Sequence, residues 1–158
     1  MSVYIHLQAN GVDLPGRATQ PEIGGIDLTD HTEVVNYFSE SARLRANNGV
    51  AAALQTSPYT VVKAFDGISP LLAKALEENQ LVNANLLFFA RAAGGQWLQS
   101  HSITLLNGRL TGLRQEYQLP AGTGGGTVFE RITIQPTTIR WRSFIQQTEH
   151  EWNVQPLA

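Results

Sequence analysis

The chain has 158 residues, of which 42% are hydrophobic, and this is enough for one compact domain with a hydrophobic core. Charged residues make up 15%, the formal net charge is -2, and no run of Lys or Arg occurs, which argues against a nucleic-acid-binding surface. The absence of cysteine excludes disulfide bonds, thiolate metal sites and a cysteine nucleophile.

The N-terminal segment, "MSVYIHLQAN", lacks the basic start and the long apolar run of a secretory signal peptide. No segment reaches the roughly 20 consecutive apolar residues that a membrane-spanning helix needs. The sequence therefore predicts no membrane insertion. Export, if the protein leaves the cell, would not depend on a cleaved signal peptide.

The first strand is predicted from strict alternation. In the segment "SVYIHLQ", the residues Val3, Ile5 and Leu7 face one way while Tyr, His and Gln alternate with them, which is typical of a half-buried strand. Residues 10–25 follow and are rich in Gly and Pro, so they are predicted to form a loop.

The next two segments each allow two interpretations. Asp30 and Glu33 have the spacing of a capping box that would begin a helix. The β-branched and aromatic residues that follow them favour a strand, and we predict a strand here. Residues 42–57 contain the turn signal "NNG" at residues 47–49 within polar and small residues, and they are predicted to form an extended loop or a long hairpin.

One short helix is predicted at about residues 69–79, after a strand in the segment "PYTVVKAFDG". Ser69 is a natural N-cap, and Pro70 fits the first helical position, where its missing N–H group is not needed. The helix presents one apolar stripe, formed by Leu71, Leu72, Ala75 and Leu76.

Alternation returns from Leu81 onward and predicts further strands as far as the C-terminal region. The dipeptide Asn107-Gly108 is a strong hairpin signal. The shared inward face of the first of these strands consists of Val82, Ala84, Leu86, Phe88 and Ala90. The tryptophans of this half are predicted to build the core, and they are Trp97, Trp141 and Trp152.

Taken together, the segments predict a mainly β fold. We expect an antiparallel β-barrel or sandwich of about eight to ten strands with one short α-helix. No internal repeat and no linker divides the sequence, so residues 1–158 are predicted to form a single domain.

The glycine-rich segment "PAGTGGGTVFERITIQ" at residues 120–135 suggests a phosphate-binding loop at first sight. Such a loop must lead through Lys and Ser or Thr into a helix, whose N–H groups bind the phosphate. Here the glycines lead into Val128, Ile132 and Ile134, which share the face of a strand. The segment is therefore predicted to connect two strands without binding phosphate.

Neither the histidines nor the carboxylates form a pattern that is typical of catalysis or metal binding. His6, His31, His101 and His150 lack the short spacings of common metal sites. His101 lies in the segment "QSHS", but the sequence contains no G-x-S-x-G nucleophile elbow. We therefore predict no catalytic residue, no metal site, no cofactor and no enzymatic activity.

Several segments, taken in order, resemble one known family. The segment "SPYTVVKAFDGISPLLAKAL" resembles the strand and Ser-Pro-capped helix of Hcp, the haemolysin co-regulated protein that forms the tube of the bacterial type VI secretion system. The segments "ITLLNGRLTGLRQEY", "FERITIQPTTIRW" and "EWNV" resemble later strands of that family. The positions of the first segment that match the family signature are Lys63, Asp66, Ser69 and Pro70.

The likeness covers about Tyr59 to Gln155 and, more loosely, the first strand, whereas residues 11–25 and Pro136 depart from the family pattern. It also adds a second interpretation of Asn107-Gly108, which would mark a bend within one long strand. The residues alone leave the tight hairpin and the bend equally open.

The resemblance implies an Hcp-like β-barrel domain with a structural role. Six copies would close into a ring, rings would stack into a hollow tube, and effectors would travel in its lumen. The sheath and the spike of the same system would be further partners, and the protein would be cytoplasmic before firing and extracellular afterwards. The loop at residues 42–57 would contact the neighbouring ring, through Arg43, Arg45, Asn47, Asn48, Gly49, Ala52 and Leu54.

Two alternatives stay open at the level of sequence. A phage-type tail tube subunit would assemble in the same way, as rings that stack into a tube. A small β-barrel that binds a ligand or acts as an enzyme would need a pocket with converging polar groups, and no such cluster is evident in the sequence.

Overall fold

A computed structural model describes residues 1–45, 51–119, 122 and 124–154. These residues form antiparallel strands and one short helix, which confirms the predicted fold class. The elements, in chain order, are β1 (Ser2–Ala9), β2 (Val12–Asp13), β3 (Glu22–Ile23), β4 (Ile26–Asp27), β5 (His31–Glu33), β6 (Asn36–Phe38), β7 (Ser41–Arg45), β8 (Ala51–Thr56), β9 (Tyr59–Ala64), α1 (Ser69–Glu77), β10 (Val82–Arg91), β11 (Trp97–Gln118), β12 (Thr127–Gln135), β13 (Thr138–Ser143) and β14 (Thr148–Asn153).

Ten of the described strands form one sheet that closes into a barrel. From β1 the pairing runs through β10, β11, β12 and β9 to β6, while β5 pairs with the other side of β1. Backbone hydrogen bonds from Val34 N to Val3 O (2.9 Å) and from Val35 N to Val62 O (2.8 Å) join the two ends of this path. The first half of β11 also pairs with β13, which pairs with β14.

The main core fills the barrel, because alternate residues of each strand point inward. Of the predicted inward face of β10, the residues Val82, Ala84, Leu86 and Phe88 are buried in this core, whereas Ala90 is only half-buried. Trp141 and Trp152 are half-buried and pack against this core. The inside of the barrel is therefore the hydrophobic core that the alternation of the sequence indicates.

A second, smaller core covers the outside of β1 and β10. Leu87 and Phe89 point away from the barrel interior and pack against Tyr4. Ile23, from the Gly- and Pro-rich segment, and Leu28, three residues after that segment, complete this cluster. The predicted loop thus contains the short strands β2 and β3 and acts as a cover for one wall of the barrel.

Helix α1 is confirmed at Ser69–Glu77, within the predicted range of about residues 69–79, but its N-cap differs from the prediction. The N-cap is Ile68, and Ser69 and Pro70 are the first two helical residues. The Ser69 hydroxyl lies 3.1 Å from the Asp66 N–H, which donates to it, so this hydroxyl serves the preceding turn. Of the predicted apolar stripe, Leu72 and Ala75 are buried and Leu76 is half-buried, whereas Leu71 is 39% exposed.

The dipeptide Asn107-Gly108 lies inside β11 and does not form a tight hairpin. Asn107 has a positive φ of 51°, and the register between β10 and β11 shifts where Gly108 pairs with Val82. A Cβ atom on Gly108 would lie 3.0 Å from the Ile134 side chain and 3.1 Å from Gln135 O, so the close approach of β12 favours glycine here. The bend that the family resemblance suggested is correct.

The remaining strand predictions agree with the structure. β5 and β6 occupy the segment that began at Asp30, so the strand interpretation is confirmed over the helix. The segment at residues 42–57 forms a hairpin, β7–β8, and its predicted turn at residues 47–49 lies outside the described residues. The ten strands of the main sheet match the expected eight to ten, and the other four described strands form two separate ribbons.

Candidate functional site

The β7–β8 hairpin stands apart from the barrel. Within the described part of the chain its two strands pair only with each other. At the base, Ser57 N donates to Glu40 O (2.8 Å) and Glu40 N donates to Ser57 Oγ (2.8 Å). These two bonds define the point at which the ribbon leaves the barrel.

Four of the seven predicted contact residues lie in the paired part of this hairpin. Arg43 is opposite Leu54, and Arg45 is opposite Ala51 after a shift in register. Arg43 is exposed, Leu54 is 40% exposed, and Ala52 lies on β8. The three residues that fall outside the described residues are Asn47, Asn48 and Gly49.

A buried ionic cluster joins helix α1 to the barrel wall. Lys63 Nζ is fully buried and donates to Asp66 Oδ1 at 2.8 Å, to Ala64 O at 3.1 Å and to Ser69 Oγ at 3.3 Å. A second carboxylate oxygen, Glu130 Oε1, lies 3.9 Å from the same ammonium group. The residues of the Ser-Pro signature therefore meet at the start of the helix.

Glu130 is the member of this cluster that the sequence analysis missed. Its side chain is fully buried, and neither carboxylate oxygen has a hydrogen-bond partner among the described residues. Ile132 and Ile134, two and four residues later on β12, are buried in the main core. The same alternation puts Glu130 on the inward face, so the signal was present in the sequence.

The barrel opens as an apolar cup at the end opposite helix α1. β10 begins beside α1 at Val82 and reaches the cup at Phe88, and the cup has a volume of about 510 Å³. His101, the residue of the "QSHS" segment, is exposed on its rim, and in the described part no hydrogen bond joins its ring to a Ser hydroxyl.

Burial raises the pKa of Tyr59, and hydrogen bonds with Ser39 and Trp141 oppose this shift.

Three other observations concern a metal site, a membrane-spanning helix and a phosphate-binding loop, none of which the sequence predicted. Among the described residues, no group of three or more His, Cys, Asp or Glu side chains is arranged to hold a metal ion. In the same residues we find no helix long and apolar enough to span a membrane. The glycine-rich segment connects β11 to β12, whose pairing ends at Gln118 and Thr127.

Comparison with known proteins gives a consistent fold. No family model matches the sequence, and no curated protein matches it. A crystal structure of an Hcp protein superposes with a TM-score of 0.84 at 11% identity, over 97% of this chain and 99% of that chain. The secreted protein Hcp3 from Pseudomonas aeruginosa matches at 0.75 and 16% identity, over 98% and 99%.

A type VI secretion system effector from Yersinia pestis also matches, with a TM-score of 0.67 and 14% identity, over 95% of this chain and 99% of that chain. These identities are low and the coverage is nearly complete on both sides, so the likeness concerns the whole fold. The chain therefore has the Hcp fold, as the ordered set of sequence segments indicated.

Proposed function

We propose that this chain is a structural tube subunit of a bacterial type VI secretion system, in which six copies form a ring and rings stack into a hollow tube that carries effectors. The observation that supports this most strongly is the match of the whole chain to an Hcp structure. Residues 1–158 would form one Hcp-like barrel domain, with an architectural role and no catalysis.

Ring formation fits the exposed apolar side chains of the barrel. Leu98, Tyr117, Leu119 and Ile145 are each between 48% and 68% exposed, although they are large and apolar. Among the described strands, β14 pairs only with β13 and so leaves one edge free. A neighbouring copy in a head-to-tail contact would cover such surfaces, and contacts of this kind close into rings.

Ring stacking fits the separate β7–β8 hairpin. The ribbon leaves the barrel at Glu40 and Ser57 and pairs with no other described strand, so it is free to contact a second ring. The contact residues would be Arg43, Arg45, Asn47, Asn48, Gly49, Ala52 and Leu54. Further partners would be the sheath, the spike and effector cargo, with no role for nucleic acid or membrane insertion.

The proposed location follows from the same role. The protein would be cytoplasmic before firing and extracellular afterwards, and it would leave the cell without a cleaved signal peptide. One of the matching structures is a secreted Hcp protein, which supports the extracellular stage.

Native mass spectrometry of the purified chain, together with negative-stain images, tests ring formation directly. We expect a species with six times the mass of the 17.3 kDa chain and ring-shaped particles. A monomer at every concentration, up to the highest that stays soluble, would refute the proposed ring.

The substitution Ala52→Glu tests the stacking role of the hairpin. Burying an unpaired carboxylate at a contact costs more than about 1.4 kcal/mol, so we expect ring stacks to weaken at least about tenfold while single rings persist. The matched control is Ala73→Glu, which adds the same charge on the exposed side of helix α1. Stacks of unchanged length in the Ala52 variant would contradict the assignment of the hairpin.

A further inference from the structure

The outer face of β6, β9, β12 and the second half of β11 carries a row of side chains that crosses all four strands. On β12, Glu130 and Ile132 are fully buried inside the barrel, so Arg131, which alternates with them, points outward. The strand registers put one residue of each strand in this row, in the order Asn36, Val62, Arg131 and Arg114. Two arginines are therefore direct neighbours on the outside of the sheet.

These two arginines have no counter-charge beside them. Residues directly opposite on antiparallel strands have Cβ atoms about 4.5–5.5 Å apart, and like charges in such a pair destabilise the sheet. Arg114 and Arg131 are both exposed, and in the described part of the chain no ion pair involves either of them. A bound anion would relieve this repulsion and would meet the N–H donors of two guanidinium groups at once.

The whole face is basic, although the chain has a formal net charge of -2. Among the side chains that the registers of the described strands put on this face, the only carboxylate is that of Glu116, which is opposite Phe129. Arg109, opposite Gln135, adds a third arginine to the same side. This excess of positive charge is complementary to an acidic partner.

An open pocket of about 200 Å³ lies beside the arginine pair. Both arginines line it, together with the half-buried side chains of Val62 and Phe129. Its volume is below the roughly 300–1,000 Å³ that is typical of sites for whole small molecules. An apolar floor next to two guanidinium groups suits one side chain whose methylene groups end in a carboxylate.

Arg131 and the apolar border of the pocket are positioned before any partner binds. The guanidinium carbon of Arg131 lies 5.7 Å from the centroid of the Phe38 ring, which supports the side chain from one side. Phe38 is 50% exposed and Val35 is 58% exposed, so both present apolar surface next to the basic pair. A partner that covers them would gain apolar burial in addition to its contact with the arginines.

We propose that this face binds an acidic segment of a partner protein. A Glu or Asp side chain of the segment enters the pocket, and its carboxylate accepts hydrogen bonds from Arg114 and Arg131. An apolar neighbour in the same segment packs on Phe38 and Val35. The site belongs to a single chain and includes no residue of the β7–β8 hairpin, so it does not depend on the proposed ring stacking.

Three labelled peptides test both parts of the proposal on the assembled protein. The acidic peptide carries the sequence Glu-Phe-Glu within a short Gly- and Ser-rich segment, and the other two carry Gln-Phe-Gln or Glu-Ser-Glu at the same place. By fluorescence anisotropy we expect saturable binding of the acidic peptide at one molecule per chain. The Gln peptide should bind at least about fivefold more weakly, and the Ser peptide at least about twofold more weakly.

Three variants assign the binding to this face. Arg114→Gln should weaken binding of the acidic peptide about fivefold, whereas Glu116→Gln should strengthen it about twofold by removing a carboxylate that repels the peptide. The matched control is Arg91→Gln, an exposed arginine at the end of β10 whose guanidinium carbon lies 5.0 Å from the centroid of the Trp97 ring. It changes the net charge equally and should leave the affinity unchanged.

Thermal unfolding separates a loss of binding from a loss of structure. Arg114→Gln removes one of two like charges on neighbouring strands, so the melting temperature should stay the same or rise while the affinity falls. Inorganic phosphate serves as a competitor without an apolar part. It should displace the acidic peptide only at concentrations at least about tenfold above the dissociation constant of the peptide.

Several results would overturn the proposal. These are the absence of saturable binding, equal affinities for the acidic and Gln peptides, and equal effects of Arg114→Gln and Arg91→Gln. Phosphate that binds as tightly as the acidic peptide would show a site for small anions only. Peptide binding by single chains but not by the assembly, measured by native mass spectrometry, would show that a second copy covers the face. The native masses without peptide report ring formation independently, so the proposed tube role is tested separately.

Discussion

The buried ammonium group of Lys63 makes one strong prediction about stability. In the Lys63→Met variant the chain keeps a side chain of similar length, but the carboxylates of Glu130 and Asp66 lose their cation. Removing one partner of a buried ion pair costs about 3–5 kcal/mol, because the remaining charge is uncompensated in a medium of low dielectric. For a chain of this length we expect the melting temperature to fall by roughly 6–20 °C.

The two partners of the pair should not be equivalent. In a Glu130→Gln variant Lys63 still contacts Asp66 at 2.8 Å, so its charge remains paired, and we expect a loss below about 1.5 kcal/mol. Glu130 has no such substitute, since its two oxygens lack hydrogen-bond partners among the described residues. The double variant, Lys63→Met with Glu130→Leu, should recover part of the loss, because apolar pairs often replace buried ion pairs at little cost.

The assay is thermal and urea-induced unfolding, repeated at several protein concentrations because assembly itself stabilises the folded chain. The control is Arg140→Met, which removes an ion pair whose side chains are 41% and 45% exposed and should cost less than about 1 kcal/mol. If Lys63→Met costs no more than Arg140→Met, or if Glu130→Gln costs as much as Lys63→Met, the reasoning about burial is wrong.

Two further substitutions act on the segment that covers β1 and β10. Gly24→Ala should destabilise the chain by at least about 2 kcal/mol, since Gly24 has a φ of 57° and the new Cβ would lie 2.7 Å from the carbonyl oxygen of Trp97. Burial lowers the pKa of His31, and the nearby His6 lowers it further, so the folded chain binds a proton at this ring less readily. The unfolded chain binds the proton more readily, so the free energy of unfolding should decrease as the pH falls below about 6.5, and His31→Asn should reduce that decrease.

Each of these two substitutions, Gly24→Ala and His31→Asn, has a matched control. Gly25→Ala also meets a positive φ, 80°, but its Cβ would enter open space, so it should cost clearly less than the change at Gly24 in urea unfolding. The carboxylates of Asp27 and Asp30 raise the pKa of His31 and so act against burial and His6. The control for the pH series is His101→Gln, which removes an exposed histidine elsewhere and leaves the charges around His31 intact. An unchanged pH profile in the His31 variant would refute the assignment.

Much of the barrel could be predicted because its strands alternate. Ile5 and Leu7 on β1 and the inward residues of β10 follow the period of two, and the structure buries them in one core. The second face of β10 could not be predicted in this way. Leu87 and Phe89 are covered by Ile23 and Leu28, and nothing local in the Gly- and Pro-rich segment specifies that it packs there.

The ends of elements were harder to predict for a similar reason. Ser69 is the best local N-cap, but its hydroxyl is recruited by Lys63 and by the Asp66 N–H group, so the helix begins one residue earlier than the cap rule indicates. Asn107-Gly108 has the chemistry of a tight turn, yet pairing with β10 and β12 on both sides keeps the chain extended through it. Tertiary contacts decided both cases.

The two candidate sites also differ in how far the sequence alone could predict them. The hairpin was visible as a long segment with a turn signal, although its proposed partner is another copy and so leaves no trace in a single chain. The cup was not visible, because it gathers Val3, Tyr37, Phe88, Ile103 and Trp141 from five different strands. Only the closure of the barrel brings such distant residues together.

The pairing of β1 with β10 also constrains the order of events during synthesis. Ser2 pairs with Phe89 and Ala9 with Val82, so β1 waits for about 80 more residues to be synthesised before its main partner exists. At about 5–20 residues per second this delay is roughly 4–16 s. During that time, among the described residues, β1 can pair only with β5, through three residue pairs, and with β2, through two. A nascent chain of this fold should therefore be most vulnerable to aggregation, and most dependent on ribosome-associated chaperones, until β10 has emerged.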